Sequence, residues 1–510
     1  MTSSPHAPQE RAPLLETMLD YRRRNPVRLH FPMHKAGGFF AESLKPLFGA
    51  ELLAMDLPSM PGYTDNLFHS KGALKEAQAL AADLFGAGHS RFLVNGSSIG
   101  NLAAIMAAAG PGDAILTPRN LHRSAASALT LCGARPVYLP TRRHPAHDAL
   151  SPGVAAVRTA FDENPDIAAL LLTRPNYYGL AGDVREVIAF CHARGCPVIV
   201  DEAHGAHLRF LPQTPITPAL DLGADVVVQS WHKTVGALTG AAVLHVGRAS
   251  LIDIDAIQLA LNTLQSTSPS NLLLVSIDET RRMLWRDGAP AFGAAVEQAE
   301  ALRARLRRLD GVSARLLDPA LAAEGYTADP LRLVINCDGL KVSGFACAEF
   351  LNRACDIAWE MCDARNIVFI VGPQDTGADY DALVEALARL VVEAPALRPD
   401  PRFESTRREA PLPDLAMLPR NAAFARKRRV PLEQAAGGIC AEMVMAYPPG
   451  NPLLTPGEAV SAEILEHARN LRDGGAQIMA LDPSLETLLV VDGSTTDLSG
   501  RTQPPLHRFP

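Results

Sequence analysis

An α/β fold with a mostly parallel sheet is the architecture this sequence predicts, and three observations predict it. Short apolar runs such as Pro197-Val198-Ile199-Val200 and Asp225-Val226-Val227-Val228 alternate with helical stretches from about residue 70 to residue 245. The runs are apolar throughout, as strands covered on both faces are. Finally, Asp201 and the stretch Ser230-Trp231-His232-Lys233 fall just past two of these runs. Those positions are the carboxyl ends of strands, where open α/β sheets collect their ligands.

The elements follow in order. Residues 1–30 read as a lead-in with one helix, Pro13 to Arg24. Gly72 to Phe85 has helical periodicity, and Arg91-Phe92-Leu93-Val94 is a strand entering a Gly/Ser turn. Ser98 to Ala109 is an Ala-rich helix, alanine being the best helix former. Ala114-Ile115-Leu116 is a strand and Asn120 to Cys132 a helix, followed by strands at Pro136–Leu139 and Ile167–Thr173. Asp183 to Arg194 is a helix before the runs at 197–200, 225–228 and 241–246. Helical character dominates from Leu251 to Leu309. Strands near 331–337 and 368–371, with helices around 345–353 and 380–392, predict a smaller α/β domain. A Pro-rich hinge runs from Pro395 to Pro413, and the tail has its own strand signal at Glu486–Val491.

Composition narrows the function. A chain of 510 residues exceeds one ordinary core, so two or three domains are expected. The net charge of −7 gives no basic footprint for nucleic acid or anionic membrane. No apolar run is long enough for a membrane span, and the N-terminus lacks the apolar core of a secretory signal. The 8 cysteines lack Cys-x-x-Cys spacing, so free thiols in a reducing cytoplasm are expected, with no metal site.

An amine at Lys233 and a carboxylate at Asp201 suit pyridoxal 5′-phosphate (PLP). The lysine can form a Schiff base with its aldehyde, and the aspartate can keep the pyridine nitrogen protonated so that the ring accepts electrons. Asn95-Gly96-Ser97-Ser98-Ile99-Gly100-Asn101 sits between a strand and a helix, as a phosphate cradle would, although a turn with a serine cap reads the same way. Ser230 and His232 flank the lysine closely enough to reach that phosphate or a substrate carboxylate. His122, at a helix start, can stack on a cofactor ring or serve as a surface residue. Ser266-Thr267-Ser268-Pro269 is either a capping turn or a second phosphate contact delivered across a subunit boundary. Tyr177 and Tyr178 end a strand, as phenols near the site or as packing. By composition, Glu442 reads as a paired surface or hinge acid.

These motifs, in this order, resemble the Orn/Lys/Arg decarboxylase family of fold-type I PLP enzymes in its short bacterial form. The resemblance takes in Gly72 to Asn101, Asn120–Ser124, Asp201–His204, Ser230–Lys233, Gln265–Pro269 and the stretch from Glu442 to Glu458 with its Tyr-Pro-Pro-Gly. It implies a lead-in over 1–70, a PLP-binding large domain over 71–290, a small α/β domain over 291–400 and a C-terminal domain over 401–510. It implies Lys233 as the PLP lysine, Asp201 as the pyridinium partner, and His122 stacked on the ring with His204 close by. Ser97, Ser98, Ser230 and His232 would hold the phosphate, joined by Ser266 of a second subunit, and Glu442 would meet the distal cation of the substrate, with Tyr178 near it. The implied assembly is a homodimer with shared active sites, able to build larger rings. The implied reaction turns a basic amino acid (arginine, lysine or ornithine) into its amine and CO2, with Lys233 or His232 returning a proton to Cα.

The chain also departs from the family pattern. Trp231 stands where threonine is usual, Gly240 where glutamine is, Met33 where glycine is, Asn176 where threonine is, and Asn451 where isoleucine follows the Tyr-Pro-Pro-Gly. Ile99 replaces a hydroxyl or a glycine. Bulk at Trp231 beside the lysine would narrow the substrate range. The alternatives are a PLP oxidase, lyase or aminotransferase on a related amino acid, and a catalytically silent regulatory homologue, against which the intact Lys233–Asp201 pair argues.

Overall fold

The computed structural model describes residues 7–60, 63–140, 143–144, 147–211, 216–314, 316–397, 411–447 and 450–493. Most of the Pro-rich stretch from Pro395 to Pro413 and the two prolines of the Tyr-Pro-Pro-Gly motif lie outside the described residues. The chain opens with α1 (Pro13–Arg24), α2 (Lys45–Met55), α3 (Ala73–Phe85), β1 (His89–Leu93) and α4 (Gly96–Ala108). There follow β2 (Ala114–Pro118), α5 (Arg123–Cys132), β3 (Arg135–Leu139), the short pair β4 (Arg143–His144) and β5 (His147–Ala149), and α6 (Val154–Glu163). Next come β6 (Ile167–Thr173), β7 (Leu180–Ala181), α7 (Arg185–His192), β8 (Val198–Asp201), β9 (Val226–Gln229), α8 (Trp231–Thr234) and β10 (Ala242–Val246). The helices α9 (Ile254–Leu264), α10 (Asn271–Met283) and α11 (Ala289–Leu306) complete this part.

Contacts divide the chain into two compact units. The first comprises residues 1–108, 191–213 and 217–292. In it β8 and β9 run parallel, β10 pairs antiparallel with β9, and β1 pairs antiparallel with β10. β8 and β9 are buried along their whole length, which is why their sequences read as unbroken apolar runs. α4 packs against β9, β10 and α9. The N-terminal lead-in is fastened to α10 by a fully buried ion pair: Asp278 accepts the backbone N–H of Leu14 at 2.9 Å, and Arg281 donates to the carbonyl of Gln9 at 2.6 Å.

The second unit comprises residues 109–190, 214–216 and 293–510. β2 pairs parallel with β3 and with β6. A smaller antiparallel sheet joins strands Arg332–Asn336, Asn366–Ile370 and Met361–Cys362. The C-terminal part has its own apolar core, which includes Val444, Leu454, Ile464, Leu465, Leu488 and Val490. The parallel pairs β2–β3, β2–β6 and β8–β9, with helices between the strands, make the fold the α/β class the sequence predicts.

Three details differ from the sequence reading. α2 was not anticipated. Its apolar residues follow no single stripe, and Gly49 (φ +72°) breaks it internally. α5 begins at Arg123 instead of Asn120, because His122 is its N-cap. The helical stretch after Leu251 is three helices, with a single π turn at Leu284–Gly288 between the last two. Among the described residues, no helix is long and apolar enough to cross a membrane.

Candidate active site

Asp201 closes β8 and stands opposite Val228 of β9, so these two side chains share one face of the sheet. That face carries α4. Asn101 of α4 donates its side-chain amide to Asp201 Oδ2 at 2.7 Å, and the backbone N–H of Ala203 donates to Oδ1 at 3.1 Å. Asp201 is buried, and each oxygen keeps a lone pair for a further donor. Gly100 lets the helix lie this close. A Cβ there would sit 2.5 Å from Val228 Cγ1 and 2.9 Å from Leu93 Cδ1.

The start of α4 is the Gly/Ser turn of the sequence reading, entered through Gly96 at φ +73°. Ser97 is buried and accepts from the hydroxyl of Ser230 at 2.7 Å, while Ser98 is half-buried. Lys233 lies in α8, directly after β9, and its Nζ is 3.2 Å from His204 Nε2. Beside it His232 donates from Nδ1 to the carbonyl of Ala241 at 2.9 Å, which leaves Nε2 available to exchange a proton. Ser97, Ser98, Asp201, His204, Ser230, His232 and Lys233 are therefore gathered in the first unit, around one end of β8 and β9.

Trp231 corrects the sequence reading. Its indole is fully buried, lies 5.1 Å from the ring of Phe85 and donates to Gln229 Oε1 at 3.2 Å. Gln229 follows Val228 in the strand and so points to the face opposite Asp201. The bulk of Trp231 is spent behind the sheet, not beside the lysine amine.

Ser266 is exposed in this chain, and its hydroxyl accepts the backbone N–H of Ser268 at 3.1 Å in the turn before α10. The other named residues belong to the second unit. His122 is exposed and caps α5, its Nδ1 accepting from the backbone of Ser124 at 3.2 Å. Tyr178 donates its hydroxyl to Asp363, and its ring is buried with Val334, Met361 and Val368. Burial pushes the Asp363 carboxyl above its ordinary range, and the hydrogen bond from Tyr178 opposes that shift. Glu442 is buried too, and its two oxygens accept the backbone N–H groups of Leu481 at 2.8 Å and Leu489 at 2.7 Å. This carboxylate braces the backbone of its own domain, which neither sequence-based reading of it foresaw.

Asn101, Gln229 and the pair Arg119–Glu458 were missed. Asn101 lies four residues past Ser97 and hence on the same side of a helix, a signal that was available. Arg119, three residues before His122, is held by Glu458 through two hydrogen bonds, one of 2.9 Å, and donates to the carbonyl of Leu453 at 3.2 Å. The cysteines are free thiols, all buried except Cys355.

A lysine and a buried aspartate at the carboxyl ends of parallel strands, with a hydroxyl-bearing helix start nearby, match the arrangement the sequence predicts for a fold-type I PLP-dependent enzyme. The profile of the Orn/Lys/Arg decarboxylase major domain matches residues 12–379, and that of the C-terminal domain matches residues 403–486. The chain belongs to the Orn/Lys/Arg decarboxylase family. It is similar to the arginine decarboxylase of Halalkalibacterium halodurans (35% identical, covering 95% of this chain and 98% of that one). It is also similar to the arginine decarboxylase of Bacillus subtilis (34% identical, covering 93% and 96%). Among solved structures, lysine decarboxylase A from Pseudomonas aeruginosa shares the fold with a TM-score of 0.79 at 19% identity, covering 96% of this chain and 81% of that one.

Proposed function

We propose that this chain decarboxylates L-arginine to the corresponding amine and CO2, with PLP carried on Lys233. The observation that carries this reading is the convergence of Lys233, Asp201 and the start of α4 around one end of β8 and β9. The donor set fits the group. Lys233 supplies the amine, Asp201 keeps acceptor capacity at a buried site, and α4 offers hydroxyls and the positive end of a helix to an anion. Arginine is favoured over lysine and ornithine because the relatives at 34–35% identity carry that name, whereas an ornithine decarboxylase of Escherichia coli is 24% identical.

Bound there, PLP would supply the electron sink that takes up the electron pair left when CO2 departs. The residues of the chain do the rest. Asp201, its own position fixed by Asn101, would hold a proton at the ring nitrogen. Ser97, Ser98, Ser230 and His232 would hold the phosphate, Ser266 would add a hydroxyl from a second copy of the chain, and His122 is the residue the family resemblance assigns to the ring. His204 Nε2 can take a proton from the ammonium of Lys233, so that the amine is nucleophilic. Lys233 or His232, through Nε2, returns a proton to Cα after the carboxylate has gone.

We further infer a homodimer. Val27, Leu29, Phe31, Met33, Phe39 and Leu47, close together in sequence, are all more than 60% exposed in the single chain, as apolar residues that await a partner are. The free thiols suit a reducing compartment such as the cytoplasm.

The test combines two measurements. Borohydride treatment of PLP-loaded protein followed by peptide mass spectrometry should tag Lys233. Product analysis with arginine, lysine and ornithine, with and without oxygen, should show CO2 and the amine, fastest from arginine. A tag on another lysine would overturn the site, and ammonia, a keto acid or peroxide as main product would overturn the reaction. Mixing Lys233→Ala with Ser266→Ala subunits should restore part of the activity if Ser266 serves the other copy. Proven subunit exchange without recovery would place it elsewhere.

A further inference from the structure

Behind the sheet, on the face away from Asp201, polar side chains form a continuous hydrogen-bonded ribbon from three strands to Glu202, just past the end of β8. Ser90 of β1 stands opposite His245 of β10, and their side chains meet at 2.8 Å. His245 Nε2 is 3.3 Å from Gln229 Oε1 at the end of β9. Gln229 Nε2 donates to Glu202 Oε2 at 2.8 Å, and Glu202 Oε1 accepts the backbone N–H of Ala219 at 2.9 Å. Trp231 Nε1 donates to the same Gln229 oxygen. Each of these side chains is buried.

The directions of these bonds follow from chemistry. The indole is a donor only, and the amide nitrogen of Gln229 is committed to the carboxylate. Gln229 Oε1 is then a double acceptor, His245 carries its proton on Nε2, and Nδ1 accepts from the hydroxyl of Ser90. That requires a neutral imidazole, and burial together with the charge of Arg209 lowers the His245 pKa to about 3. The ring is stacked on Phe85 at 4.9 Å, which excludes water.

The two ends of the ribbon matter for the site. Glu202 adjoins Asp201, and Trp231 opens the turn that carries Lys233. We propose that Gln229, joined to Trp231 and Glu202, is a positioning residue that fixes the lysine-bearing turn relative to the aspartate at the end of β8. Trp231, which stands where the family pattern has threonine, reaches through the turn to supply this link. The inference rests on the proposed function only for the identity of the group Lys233 carries.

Trp231→Phe keeps a ring against Phe85 and removes the N–H, while Gln229→Leu removes the hub. In PLP-free protein, both variants should accelerate hydrogen exchange of the peptide spanning residues 230–238 by about tenfold, the worth of one buried hydrogen bond, and leave α1 and α9 unchanged. In loaded protein, kcat for arginine should fall about tenfold at constant KM, and the visible circular dichroism of the bound group should change because its orientation has relaxed. Unchanged exchange over 230–238 in both variants would overturn the proposal, as would equal acceleration across the whole first unit, which marks a merely structural role. Wild-type protein that takes no borohydride tag on Lys233 would sink the PLP reading, and the exchange measurement would still decide the ribbon.

Discussion

Asn101 donates its side-chain amide to Asp201 across 2.7 Å, from the second turn of α4 to the last residue of β8. The helix that offers its start to an anion therefore also orients the carboxylate. Asp201→Asn keeps the size of the side chain but replaces one acceptor oxygen with a donor. It should reduce kcat about 100- to 1000-fold, the usual loss when one electrostatic partner of the reacting centre is removed. Tagging of Lys233 by borohydride should persist. Equal activity would reduce Asp201 to a structural residue.

Arg119 and Glu458 should behave as one unit. Glu458 is fully buried and Arg119 is 8% exposed, so either partner left alone is a stranded charge. Arg119→Met should cost about 3–5 kcal/mol in urea denaturation, and the double change to two methionines should recover most of that. A single-variant loss comparable to that of an exposed pair would mean that water reaches the site.

His245 gives the protein an acid-sensitive term. Its folded-state pKa of about 3 lies below the ordinary histidine value because burial, and secondarily Arg209, oppose the charged form. The unfolded chain therefore binds this proton more readily. The stability from the neutral ring is complete above about pH 6.5 and is lost as pH falls toward 3, at up to about 1.4 kcal/mol per pH unit. His245→Gln should flatten denaturation midpoints between pH 6 and pH 4 relative to wild type. Parallel pH curves would show that the ring is not neutral and buried in solution.

Glu442→Gln distinguishes a substrate contact from a brace. Both carboxylate oxygens accept backbone N–H groups, and glutamine turns an NH2 toward one of them. The expected result is a lowered melting temperature with little change in KM for arginine. A large rise in KM at unchanged stability would restore the reading of Glu442 as the partner of the distal cation.

Much of this was legible in the chain because the strongest signals are local. β8 and β9 announced themselves as buried apolar runs, and their carboxyl ends located Asp201 and Lys233. α1 runs from Pro13 to Arg24, the limits expected. What escaped depends on which way a side chain turns. Trp231 and Lys233 are neighbours in sequence, yet the indole goes behind the sheet to Gln229 while the amine meets His204. Glu442 and Tyr178 take their roles from segments distant in sequence, Leu481 and Leu489 for one and Asp363 for the other. No periodicity reports such partners.

The close fit of Gly100 against Val228 makes the site a matter of parity. Along β9, Val228 meets α4 and Gln229 meets the ribbon, so odd and even positions have separate tasks. Inserting or deleting one residue before Val228 would exchange those tasks, pressing an amide into the space glycine leaves and turning an isopropyl group toward Glu202. A substitution in this strand alters one contact, whereas a change in its length reassigns every position, and the spacing between Asp225 and Lys233 should tolerate variation in residue type better than variation in number.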